Sequence, residues 1–136
     1  NAALNGLSEV VTPLAANVFD LLPELEKRPG PAPYDFIILD PPAFTKSRKT
    51  VESAMRGYKE LNYRAMKLLP RGGYLATCSC SHFATEELFQ RMLRSAARDA
   101  AVDLRQIEAR QQSPDHPILW NVPETNYLKF YLFQVV

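Results

Sequence analysis

An open α/β sheet with an antiparallel C-terminal strand is the fold predicted by this chain of 136 residues. Three observations lead there. The apolar run Phe36 to Leu39 ends abruptly in Asp40-Pro41-Pro42, as a strand buried on both faces does, which suggests a central place in a parallel sheet. A long helical stripe then separates it from a second apolar run, "YLATCS", and strand, helix, strand is the parallel crossover unit. Finally, two alternating segments near the C-terminus have no convincing helix between them, so they pair antiparallel.

Each element follows from its local chemistry. The chain opens with Asn1 where an initiator Met stands in a complete protein, and Ala2-Ala3-Leu4 before Asn5-Gly6 reads as the tail of a helix. The expectation is a piece of something longer. Glu9 to Ala16 is expected as a short strand, placed at an edge or made irregular by Pro13. In "NVFDLLPELEK" the apolar residues Val18, Leu21, Leu22 and Leu25 keep helical spacing, interrupted by Pro23. "RPGPAP" is loop. Val51 to Leu69 is a helix whose stripe runs Ala54/Met55, Tyr58, Leu61/Asn62, Ala65 and Leu68/Leu69, stopped by Pro70 and Gly72-Gly73. After the strand "YLATCS", Thr85 is a helix cap with Glu86 and Glu87 in the first turn. Leu88, Met92, Ala96 and Ala100 carry that helix to its end. "VDLRQIEAR" alternates as a strand, and "TNYLKFYLFQVV" closes the sheet.

Composition bounds the class. Hydrophobic residues make 46% and charged residues 23%, which supports one globular domain, residues 1–136, with a real core. No apolar run approaches the ~20 residues of a membrane span, and no signal-peptide pattern opens the chain. A net charge of +1 does not by itself announce a nucleic-acid binder. Only Cys78 and Cys80 are present, too few for a disulfide scaffold, so a reducing cytoplasm is expected.

In an open α/β sheet, ligands bind beyond the carboxyl ends of the strands. Two strand ends carry polar chemistry: Asp40-Pro41-Pro42 and Cys78-Ser79-Cys80. The prolines stiffen the turn that holds the Asp40 carboxylate. Phe44 offers an aromatic face for a planar ring, and Lys46, Arg48 and Lys49 form a small basic patch beside it. Of the cysteines, Cys78 lies inside its strand and is expected to pack. Cys80 stands where the strand opens toward a helix N-terminus, a setting that favours an available thiolate. The C-x-C-x-H pattern with His82 lacks a fourth ligand and the usual paired spacing, so no metal is expected.

"DPPAF", "GYKELNYRAMKLLPRGG", "LATCSCSH", "DHP" and "PETNYLKF", in this order and spacing, resemble the C-terminal part of the RlmI-like family. These are class I S-adenosylmethionine-dependent methyltransferases acting on cytosine carbon 5 of large-subunit ribosomal RNA. The resemblance implies a doubly wound, mostly parallel sheet with its first strands missing and an antiparallel strand at the end. It implies S-adenosylmethionine as cofactor and ribosomal RNA as partner. It also makes Cys80 the nucleophile that adds to carbon 6, with Asp40 bonded to the ring nitrogen at position 3. Asn17, Val18, Asp40 and Pro41 take the cofactor side; Pro42, Phe44 and Lys46 take the base side. Asn17 departs from the family's Asp near the adenine. The family's Gly-rich cofactor loop and N-terminal PUA-type domain are not in this sequence. Self-association is a further expectation, because the Phe36–Leu39 strand loses its usual neighbour. Two other readings stay open: a base amino-group or purine ring-nitrogen methyltransferase, which needs no thiolate, and a non-catalytic interaction fragment.

Overall fold

The structure is a computed structural model that describes residues 1–45 and 47–136. Four strands form one sheet in the order β1-β2-β4-β3: β1 (Phe36–Leu39), β2 (Tyr74–Ser79), β3 (Leu104–Arg110) and β4 (Lys129–Val135). β1 and β2 are parallel, from Phe36↔Tyr74 to Leu39↔Thr77. β4 runs antiparallel to both of its neighbours, β2 and β3, so the last pair is as expected.

Three helices accompany the sheet: α1 (Val18–Glu26), α2 (Val51–Lys67) and α3 (Glu86–Ala100). Side chains alternate across a strand, so Leu75, Thr77 and Ser79 of β2 share one face with Tyr131, Phe133 and Val135 of β4. That face meets the stripes of α2 and α3. Tyr58, Ala65, Met66, Phe89 and Ala96 are fully buried there. The stripe of α2 is buried as the spacing predicts, including Asn62 among apolar neighbours. α1 docks on α2 through Leu22 and Leu25 and through Arg64, whose guanidinium donates to Glu26 at 2.5 Å and to Glu60 at 2.8 Å.

Helix ends obey their caps. Asn17 caps α1 by accepting the Phe19 N–H at 3.1 Å, and Thr85 caps α3 by accepting from Leu88 at 3.3 Å. α3 ends on Ala101, a non-glycine residue with φ of 56° in the left-handed region.

Two expectations are corrected. Residues 9–16 form no strand and are exposed throughout; Pro13 lacks the amide a ladder needs, and no neighbouring strand recruits the segment. β1 lies at a sheet edge rather than the centre. Its apolar residues are as hydrophobic as those of a central strand, yet Phe36 is 49% and Ile38 70% exposed.

Candidate functional site

Parallel pairing of β1 with β2 brings the two polar strand ends together. Just past the last pair, Leu39↔Thr77, the Cys78 thiol donates to Asp40 Oδ1 at 3.1 Å and lies 3.4 Å from the Leu39 carbonyl. Cys78 is buried and Cys80 is partly accessible, and both are free thiols. Burial, with the bond to Asp40 second, pushes the Cys78 thiol up to about 12, so it stays protonated.

The serines on either side of Cys80 are locked. Ser79 Oγ donates to the Tyr58 hydroxyl at 3.0 Å and accepts the Ser81 N–H at 3.3 Å. Ser81 Oγ donates to the Thr45 carbonyl at 3.0 Å. Thr45 in turn shares a 2.6 Å bond with the Thr50 hydroxyl. The loop after β1 is therefore stitched to the Cys80 segment at Ser81, with Tyr58 of α2 beneath the junction. Burial raises the Tyr58 pKa, while bonds from Ser79 and the Phe44 backbone pull the other way. Ser79, Ser81 and Tyr58 are each 2% exposed or less, so these bonds are shielded from water and hold geometry.

On the outer side of Asp40 a cleft of about 470 Å³ is lined by Asn17, Val18, Asp40, Pro41, Pro42 and Phe44. Sequence reasoning had named these six; Ala16, Phe19, Ile38, Leu39 and Leu61 complete the lining and were not named. Both polar ends of the Asn17 side chain are engaged: its oxygen caps α1 and its amide donates to Asp20 at 2.7 Å. Phe44 is half-buried, its ring centroid 4.6 Å from Tyr58 and 6.0 Å from Phe19. Much of its aromatic surface therefore supports the wall. Cys80 is not part of this cleft lining; it follows directly after β2. Lys46 lies outside the described residues.

A second cleft, of about 440 Å³, adjoins the Cys80 segment and is lined by His82, Glu86, Arg110, Asn126, Lys129 and Tyr131 among others. Lys129 stands here and was not singled out from the sequence. Its Nζ donates to the Ser81 and Tyr127 carbonyls, both at 2.6 Å, and burial lowers its pKa to about 8. The signal was available: Lys129 shares the alternating face of Tyr131, Phe133 and Val135, where a charge is out of place. Tyr58, Thr45 and the two serines were also missed as a network.

The arrangement can hold a carboxylate and a thiol over one strand edge, next to an apolar cleft for a planar group. Its fold is that of the S-adenosylmethionine-dependent methyltransferases. A putative methyltransferase solved as a complex with SAH superposes with a TM-score of 0.73 at 22% identity, over 89% of this chain and 30% of that one. A putative SAM-dependent methyltransferase from Streptococcus mutans gives 0.71 at 20% identity, with the same coverages. By sequence the chain is homologous to proteins named Ribosomal RNA large subunit methyltransferase I. It is 44% identical to that of Shewanella amazonensis over 130 residues, 95% of this chain, and 42% identical to that of Cronobacter sakazakii over 103 residues, 76% of this chain. The chain spans 32% and 26% of the lengths of these relatives. No family model matches.

Proposed function

We propose that residues 1–136 act as the C-terminal part of the catalytic domain of an S-adenosylmethionine-dependent RNA methyltransferase. It methylates carbon 5 of a cytosine in large-subunit ribosomal RNA, in the cytoplasm, through a Cys80 adduct. The observation that supports this reading is the parallel β1–β2 pairing, which ends both strands at one edge of the sheet, with Cys78 bonded to Asp40 at 3.1 Å and Cys80 two residues further on.

The residues present fit part of the cofactor's needs. The cleft beside Asn17 and Val18 is apolar enough for a purine ring and ends at the Asp40 carboxylate. Asn17, Val18, Asp40 and Pro41 would hold the cofactor, which when bound supplies an electrophilic methyl group. The rest concerns this chain's own side chains. Carbon 5 of cytosine is a weak nucleophile until a thiolate adds at carbon 6. Cys80 forms that bond and the displaced ring electrons make carbon 5 reactive, while the ring nitrogen at position 3, protonated from water as charge develops, donates to the Asp40 carboxylate. After methylation the carbon 5 proton passes to water, the electron pair it leaves re-forms the ring double bond, and the Cys80 thiolate is expelled. Pro42 and Phe44 would form the base side, with Lys46 proposed as its basic residue from the sequence resemblance alone, and this side receives a base taken out of its stack.

The runner-up is methylation of a base amino group or purine ring nitrogen, favoured by one observation: Cys78, rather than Cys80, contacts Asp40. Nucleoside analysis of ribosomal RNA treated with the full-length protein and labelled cofactor separates them. Label in 5-methylcytidine supports the proposal; label in an amino-methylated or purine nucleoside gives the runner-up. A third reading, a non-catalytic interaction module, predicts no transfer and no cofactor binding by calorimetry. The open β1 edge also suggests self-association of the 136-residue chain, which light scattering at high concentration tests; a clean monomer rejects it.

A further inference from the structure

We propose that Lys129 is the counter-ion of the Cys80 thiolate, its ammonium pinned to the Ser81 carbonyl beside the cysteine; this rests on the covalent reading above. Lys129 opens β4 opposite Ser79. Its position on the buried face sends the aliphatic stem inward, toward the segment that follows β2. Two of its three hydrogens go to neutral carbonyls at 2.6 Å. Among the described residues it forms no ion pair with a carboxylate. The nearest acid on α3, Glu86, instead accepts the Tyr131 hydroxyl at 2.8 Å.

A half-buried ammonium satisfied only by carbonyls is costly. Burial lowers its pKa to about 8, while Cys80 and Glu86 pull it back upward. A base with a depressed folded pKa contributes stability above its unfolded pKa of 10.5 and loses it as pH falls toward 8. At neutral pH this lysine therefore weakens the fold. A charge retained at such a cost points to chemistry rather than to stability.

Among the described residues, the other charges around the Cys80 segment do not supply a cation in its place. From β1 comes Asp40, from β2 the protonated Cys78, from α2 the Tyr58 hydroxyl and from α3 Glu86. On β3, Arg110 lines the neighbouring cleft but pairs with Glu108. His82 follows Cys80 and is exposed. Among the described residues, Lys129 is the cation bonded to the cysteine's own segment, through the Ser81 carbonyl. In the proposed step the Cys80 proton leaves to water, and the thiolate electron pair forms the bond to carbon 6 while Lys129 remains protonated.

The test is alkylation of the full-length protein by iodoacetamide from about pH 5.5 to about pH 10, since only thiolate reacts. Mass spectrometry of the peptide 72–91 separates Cys80 from Cys78, which serves as an unreactive control. Lys129→Met is expected to raise the midpoint for Cys80 by about one pH unit, slowing alkylation roughly tenfold near neutrality. Lys129→Gln keeps a donor for the Ser81 carbonyl without the charge, and it is expected to shift the midpoint equally. Each midpoint is judged independently of the high-pH plateau, which reports access. A midpoint unmoved by either change, or restored by Gln, overturns the proposal, because Lys129 is then only a structural tie. The assay uses no RNA and no cofactor. Shifted midpoints with no covalent RNA adduct would keep the counter-ion and reject the covalent reading, and an adduct with unmoved midpoints would do the reverse.

Discussion

Removing the Ser81 hydroxyl tests whether the Cys80 segment is positioned by the loop that follows β1. Ser81 Oγ donates to the Thr45 carbonyl at 3.0 Å, and both residues are almost wholly buried, at 2% and 3% exposure. Ser81→Ala deletes the donor and strands the acceptor, where water does not easily replace it. A neutral hydrogen bond contributes about 1 kcal/mol net, and a stranded buried partner brings the loss to about 1–3 kcal/mol. Domain stabilities are on the order of 10 kcal/mol, so the variant folds with a lower urea midpoint and an unchanged slope. The Ser81 N–H bonds to Ser79 Oγ at 3.3 Å, so Ser79→Ala and Ser81→Ala are expected to be non-additive by at least ~0.5 kcal/mol. In the full-length enzyme Ser81→Ala lowers kcat more than it raises KM, because the segment orients the reacting thiol and not the bound RNA. A stability loss below ~0.5 kcal/mol together with unchanged kcat would refute the positioning role.

Three further outcomes follow from local chemistry. Among the described residues the buried Thr77 hydroxyl has no hydrogen-bond partner, so Thr77→Val is expected to be neutral or stabilising by about 1 kcal/mol; a clear loss in urea unfolding means that it has a partner. Ala101→Gly relieves a left-handed residue at the end of α3 and is expected to add about 1 kcal/mol, with no gain in thermal midpoint as the contrary result. Cys78 is a thiol whose folded pKa is raised from 9.0 to about 12. Its contribution is complete below pH 9 and lost as pH rises toward 12. Cys78→Ala therefore flattens the decline in stability over that alkaline window, and an identical decline in both proteins contradicts the assignment.

The parts legible in sequence were those whose apolar spacing has a single solution. α2 and α3 carry stripes that only a helix can bury, and β2 sits between glycines and a capped helix. The position of β1 was not legible, because apolarity reports that a strand wants cover and not whether this chain supplies it. The segment 9–16 was misread for a related reason: isolated Val10 and Val11 suit a strand, but a strand needs a partner. At the site, Asp40 and Cys80 stood out because strand ends in α/β sheets gather chemistry. The Ser79–Tyr58 bond joins residues on β2 and α2, a contact no local pattern encodes. Lys129 was hidden in plain view, since its strand was recognised without asking which face each residue takes.

The central claim is that Cys80 attacks the base while Cys78 packs. It is tested most directly with the full-length protein, cofactor and RNA carrying 5-fluorocytosine at the target. Fluorine at carbon 5 cannot leave as a proton does, so addition is trapped as a covalent complex. The account predicts that wild type and Cys78→Ala form that complex and Cys80→Ala does not. A complex that survives Cys80→Ala and vanishes with Cys78→Ala would contradict the assignment, and no complex from any of the three would contradict the carbon 5 chemistry itself.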